Sequence, residues 1–196
     1  WNILLTIVSG LKIFFEYNSD DEKKYKKFVK ELVAPGLKRI GIETKKDDDE
    51  NTVRLRAILL ALDFYAEDME NLRELAEMYD SDYEKMDAEI RTDILDAKLY
   101  LQPEFLDEYL TAYKNIAEPE IKFDLLLAMT LMRDREALVE VMKLLEQPEV
   151  VKPQDQFYLY LYLYRNPRVK DLVFDWLRGH WDYVKKMSGD KSLDNY

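Results

Sequence analysis

The sequence predicts an all-α chain, a superhelical stack of about five antiparallel helical hairpins. Three observations carry that expectation. Apolar residues recur at spacings of three and four along most of the chain. Helix-start residues stand at nearly every joint. Only 5 Gly and 6 Pro interrupt 196 residues, which favours long elements over turns. Hydrophobic residues make up 47% of the chain, with 14 Tyr, 8 Phe and 3 Trp, enough to fill a sizeable core.

Taken in order, residues 1–15, WNILLTIVSGLKIFF, read as an apolar helix buried on more than one side. Ser19 and Glu22 have capping-box spacing, and a basic amphipathic helix follows to about Ile40. Tyr25, Phe28, Val29, Leu32 and Val33 form its apolar stripe, and Pro35 is expected to end or kink it near Val33-Ala34. The charged stretch from Gly41 to Glu50 reads as a mobile loop. Asn51 is placed to cap a third helix, TVRLRAILLALDFYAED, and Met69 to Asp80 reads as a fourth. Asp87 is expected to start a fifth and Pro103 a sixth.

From Glu118 to Met187 four more helices follow with short joints, which implies antiparallel neighbours. Pro119, Asp134, Lys152-Pro153 and Asn166-Pro167 mark their starts. One segment, FYLYLYLYR from Phe157 to Arg165, alternates with period two as a half-buried strand does. Helix is the better reading, because a lone strand has no partner and the flanking prolines suit three helical turns. The count is about ten helices, with a hairpin roughly every 30–40 residues, the period of HEAT-like and tetratricopeptide-like arrays. Residues 1–187 therefore read as a single HEAT-like domain and 188–196, SGDKSLDNY, as a polar tail. A chain that opens on Trp reads as a piece of a longer one, truncated at both ends.

The net charge of -11 is uneven: from Asp63 to Asp124 there are 19 acidic against 6 basic residues, so the rest is near neutral. An acidic middle argues against nucleic acid and anionic membranes as partners. It reads first as a solvated face and second as a surface for basic peptides. With no cysteine, disulfides and thiolate zinc sites are excluded, which fits the cytoplasm. No apolar run reaches the ~18 residues of a membrane span.

Self-sufficient catalysis is poorly supported. The single histidine, His180, cannot build a His-Glu-x-x-His zinc site, and no Gly-x-Ser-x-Gly elbow or Gly-rich phosphate loop occurs. His180 reads instead as a surface residue late in a helix. Pairs of acids such as Asp93/Asp96 and Asp107/Glu108 are inevitable among 40 carboxylates and carry no signal. Met129, Met132, Met142, Phe174, Trp176 and Trp181 read as core. No catalytic or metal-ligating residue is assigned, and no cofactor is expected in this stretch itself.

The segment VVKPQDQFYLYLYLYRNPRVKDLVFDWLRGHWDYVKKM resembles the C-terminal helical domain of the aminopeptidase N family of zinc metallopeptidases. Upstream, IKFDLLLAMTLMRDREALVEVMKLL, NTVRLRAILLALDFYA and MDAEIRTDILDAKLY resemble its preceding helices in the right order. VAPGLKRIGIE falls at an LGW-like turn with Ile42 in place of the Trp, and Trp1 falls at the Trp of a YVPW segment. The resemblance is strongest to the bacterial, cytoplasmic branch. It implies a bowl of hairpins that closes the substrate cavity over a catalytic domain of the same parent chain, which carries the zinc and removes N-terminal residues from peptides. It also implies that Arg165, and with it Arg39, sits where some members place a basic residue for the peptide carboxylate. Two alternatives stay open. Both arginines can instead pair with acids of neighbouring helices, and the chain can be a stand-alone scaffold that binds protein partners on a concave face.

Overall fold

The structure, a computed structural model, describes residues 2–188. Trp1 and residues 189–196, which hold nearly all of the expected tail, lie outside them. Among the described residues there are eleven α-helices and no strand. They are α1 (Asn2–Leu11), α2 (Asp20–Ile40), α3 (Glu50–Ala66), α4 (Met69–Glu77), α5 (Arg91–Leu101), α6 (Leu106–Asn115), α7 (Pro119–Thr130), α8 (Arg135–Met142), α9 (Pro153–Arg165), α10 (Lys170–Gly179) and α11 (Trp181–Ser188). The all-α expectation holds. The chain divides into two compact units, Trp1–Lys98 and Leu99–Tyr196.

The first unit is built on the α2–α3 pair. Ser19 Oγ accepts the Glu22 amide at 3.1 Å, so the capping signal lies where the spacing puts it. Lys26 and Lys30 in the first half of α2 pair with Glu67 and Asp68 just past the end of α3, while Arg56 Nε of α3 reaches the Gly41 carbonyl just past the end of α2, so the helices are antiparallel. Val29, Val33, Leu37 and Ile40, spaced four, four and three, bury one face of α2. Leu59, Leu60, Leu62 and Ala66 of α3 are buried too. At Gly36 the helices come so close that an added Cβ would lie 2.7 Å from Leu59 Cδ1.

Pro35 does not end α2, which runs 21 residues through it. Its ring lies on the exposed side, and the buried stripe continues past it to Ile40, so tertiary burial outweighs the roughly 3 kcal/mol that an interior proline costs. The third helix is capped by Asp49, not Asn51: the Asp49 carboxylate accepts the Thr52 amide at 2.7 Å, a charge-assisted cap two residues earlier. Asp87 likewise turns the chain without starting a helix, its carboxylate accepting the Glu89 amide, and α5 begins at Arg91. Nor is α1 buried on more than one side, since Ile3, Ile7 and Leu11 are exposed. On α2, Phe28 is exposed as well.

In the second unit the repeat becomes visible. Phe123 of α7 meets Tyr158 of α9 edge-on at 5.3 Å between ring centres. At the far ends, Asn166 donates to the Thr130 and Met132 carbonyls at 2.8 and 3.1 Å. The constant offset of about 35 residues means that α7 and α9 run parallel, one repeat apart. Arg135 at the start of α8 meets Asp171 at the start of α10 with the same offset.

The alternating segment is helical, as expected. Its buried line is Gln156, Leu159 and Leu163, while its tyrosines fan out to the sides. The final long helix is broken at His180, which caps α10. Its ring stacks on Trp176 at 4.7 Å, and Glu146 accepts the Trp176 indole N–H at 2.8 Å. Met129 and Met132 belong to the core, but Phe174 and Trp181 are exposed.

Candidate functional site

Arg165 is the last residue of α9 and is exposed. Its guanidinium lies over the Tyr162 ring, 5.5 Å from the centroid, an arrangement that leaves the planar fork available to a carboxylate. Arg39, in the last turn of α2, is exposed and suits the negative end of that helix. Neither arginine makes an ion pair among the described residues, so pairing with neighbouring acids is not what the structure shows. The two belong to different compact units.

The backbone beneath Arg165 is held tightly. Asn166 is buried, and besides its two donated bonds its Oδ1 accepts the Arg168 amide at 3.1 Å. This side chain ties the α9–α10 joint to the α7–α8 joint. Two basic runs that are far apart in sequence therefore share one end of the unit: Arg133 and Arg135 from one joint, Arg165, Arg168 and Lys170 from the other.

Several of these cations are already engaged. Arg135 makes a two-pronged contact with Asp171, at 3.2 and 2.8 Å, and also donates to the Arg168 carbonyl. Arg135 holds the Asp171 carboxyl below its usual range. Lys170 and Arg133 lie over Tyr164 and Tyr100 at 5.2 Å each. Arg135, Tyr164, Pro167, Lys170, Asp171 and Phe174 line an open groove beside them. Two acids, Asp134 and Asp171, sit among the five cations, which is unusual in so acidic a chain. The gathering was missed by the sequence reading, although the runs RDR and RNPRVK were the signal.

Asp63 is buried in α3 and accepts from Asn71 at 3.0 Å; burial pushes its carboxyl up to about 6. Among the described residues no group of three or more His, Cys, Asp or Glu could hold a metal ion. Nor is any described helix long and apolar enough to cross a membrane.

The family model for the ERAP1-like C-terminal domain matches residues 1–196. The chain belongs to that family. It is 30% identical to aminopeptidase N of Lactobacillus helveticus over 193 residues, which is 96% of this chain and 23% of the relative. It is 26% identical to aminopeptidase N of Lactococcus lactis subsp. lactis over 199 residues, 98% of this chain and 24% of the relative. Aminopeptidase 2 of Candida albicans is 26% identical over 190 residues, 94% of this chain and 21% of the relative. The chain thus spans about a quarter of the length of the curated relatives it matches, in their C-terminal part. The joint centred on Asn166 presents cationic side chains from a backbone held by that residue's hydrogen bonds.

Proposed function

We propose that this chain is the non-catalytic C-terminal domain of a cytoplasmic zinc aminopeptidase, which closes the substrate cavity and helps to hold the peptide. The observation that carries this reading is the family match over the whole chain, to the C-terminal quarter of aminopeptidases. Zinc, bound elsewhere in the parent, would supply the activated water for amide hydrolysis. The part left to this chain is binding, and Arg165 is its best-placed residue: exposed, unpaired with any acid among the described residues, and followed by the anchored Asn166. Arg39 is a second candidate.

The test compares this chain with its parent on alanyl and leucyl amide reporters in the presence of zinc. Activity in the parent alone is the expected result, and hydrolysis by the isolated chain would overturn it. Arg165→Ala in the parent should then raise KM for peptides with a free terminal carboxylate by about tenfold, the value of one charge-assisted pair. Peptides with an amidated end should show little change. Equal effects on both would remove Arg165 from peptide binding.

A further inference from the structure

The groove beside the α9–α10 joint joins an apolar floor to a charged rim. Tyr164 in the last turn of α9, with the exposed Pro167 and Phe174, forms the floor. Phe174 is 47% exposed, a large apolar side chain left open beside charge. Lys170 stands one helical turn before Phe174 on α10, so the two share a face. Its ammonium lies over the Tyr164 ring at 5.2 Å and makes no ion pair among the described residues. Arg135 and Asp171, also in the lining, satisfy each other. The backbone beneath is held in place: Val169 and Asn166 are buried, and both ends of the Asn166 side chain are hydrogen-bonded.

We propose that this groove binds an extended acidic peptide segment. A Glu or Asp side chain of the segment meets Lys170, and a neighbouring bulky apolar side chain packs on Phe174 and Tyr164. Three observations select that occupant. The groove has a volume of about 600 Å³, the size of a small-ligand pocket and too large for a single ion. Asp171 engages the fork of Arg135, which leaves the point charge of Lys170 beside a carboxylate; that suits a monoanion and disfavours a phosphate dianion. A net charge of -11 repels nucleic acid at long range, whereas a short segment responds to the local excess of cations at this end of the unit. Side-chain carboxylates are what is recognised here, so the site is separate from capture of a terminal carboxylate by Arg165. It does not depend on the aminopeptidase reading.

The test is fluorescence anisotropy of this chain with dye-labelled hexapeptides of alternating Glu and Phe, amidated at the C-terminus, against Gln–Phe counterparts. The acidic peptide should bind at least about fivefold more tightly, the upper value of one solvent-exposed ion pair. Raising the ionic strength from about 0.05 M to about 0.5 M should narrow that difference. Lys170→Ala should weaken the acidic peptide about fivefold and leave the Gln–Phe peptide unchanged, while Lys170→Arg should keep most of the binding. Phe174→Ala should weaken both peptides. Both side chains are exposed, so these variants should keep their Tm within about 2 °C. Arg165→Ala should change nothing, because that guanidinium lies over Tyr162 and outside the groove lining. Absence of binding, equal binding of acidic and neutral peptides, or indifference to Lys170→Ala overturns the proposal. So does a single-stranded oligonucleotide of equal charge that competes as well as the acidic peptide, since the surface then takes anions at large. Loss of binding with Arg165→Ala alone would overturn it in favour of the Arg165 site, and an inactive parent would leave it standing.

Discussion

The two units lock their helices by opposite means. In the first, the chain between α2 and α3 is pinned by charge: Arg56, only 1% exposed, reaches Asp48 at 2.5 Å and the Gly41 carbonyl at 3.2 Å. The Lys45 amide and then Arg56 hold the Asp48 carboxyl below its usual range. In the second, the α7–α8 and α9–α10 joints are tied by a neutral amide, Asn166, with both ends of its side chain satisfied. The charged lock leaves one buried atom of its own unpartnered, Arg56 Nη1. A neutral donor and acceptor can be satisfied by a few carbonyls and amides, whereas a buried charge demands more partners than a helix joint supplies. The second unit should therefore be indifferent to pH at its lock, and the first should not.

Removing each lock tests this. Arg56→Ala should be the most destabilising of these changes in urea melts, because it empties a large buried site and strips the ionised Asp48 of its partner. Much of that loss should return in the pair Arg56→Met with Asp48→Ala, which removes the charge problem along with the bond. A pair no more stable than the single variant would mean that packing, not charge, is what Arg56 supplies. Asn166→Ala should cost less, about 2–3 kcal/mol, by orphaning two buried carbonyls. Its cost in denaturant melts should be the same at pH 5 and pH 8; a cost that varied would break the contrast between the units.

The same contrast explains what could be read from the sequence. Helix periodicity and caps are local, so the all-α fold, the Ser19 and Asp134 caps and the helical state of the Tyr-Leu alternation were legible. Pro35 was misread because its outcome depends on burial against other elements, and Asp87 because its side chain closes a local turn on the Glu89 amide in place of a helix start. The loop from Gly41 to Glu50 reads as mobile from its charges alone. What holds it, Arg56 on the next helix, cannot be told from any other helix arginine until the pairing is seen. At the candidate site, Arg165 was found through a family resemblance. The cations around it were visible as two short basic runs, but nothing local says that Asn166 brings those runs together.

Asp63 gives the finest test of the difference. It is buried beside Asn71, with Asp68 and Lys30 near enough to act on its charge. Burial raises its folded pKa to about 6 from the ordinary 3.8. The fold thus prefers the protonated acid: its contribution to stability is full below about pH 3.8 and is lost as pH rises through about 6. Asp63→Asn keeps the shape and removes the charge. The variant should be more stable than the natural chain by up to about 2 kcal/mol at pH 8, with the gap closing as pH falls towards 4. Urea melts at four or five pH values measure it directly. A gap independent of pH would mean that Asp63 titrates alike in the folded and unfolded chain, and that its unpartnered Oδ1, not the ionisation, sets its cost.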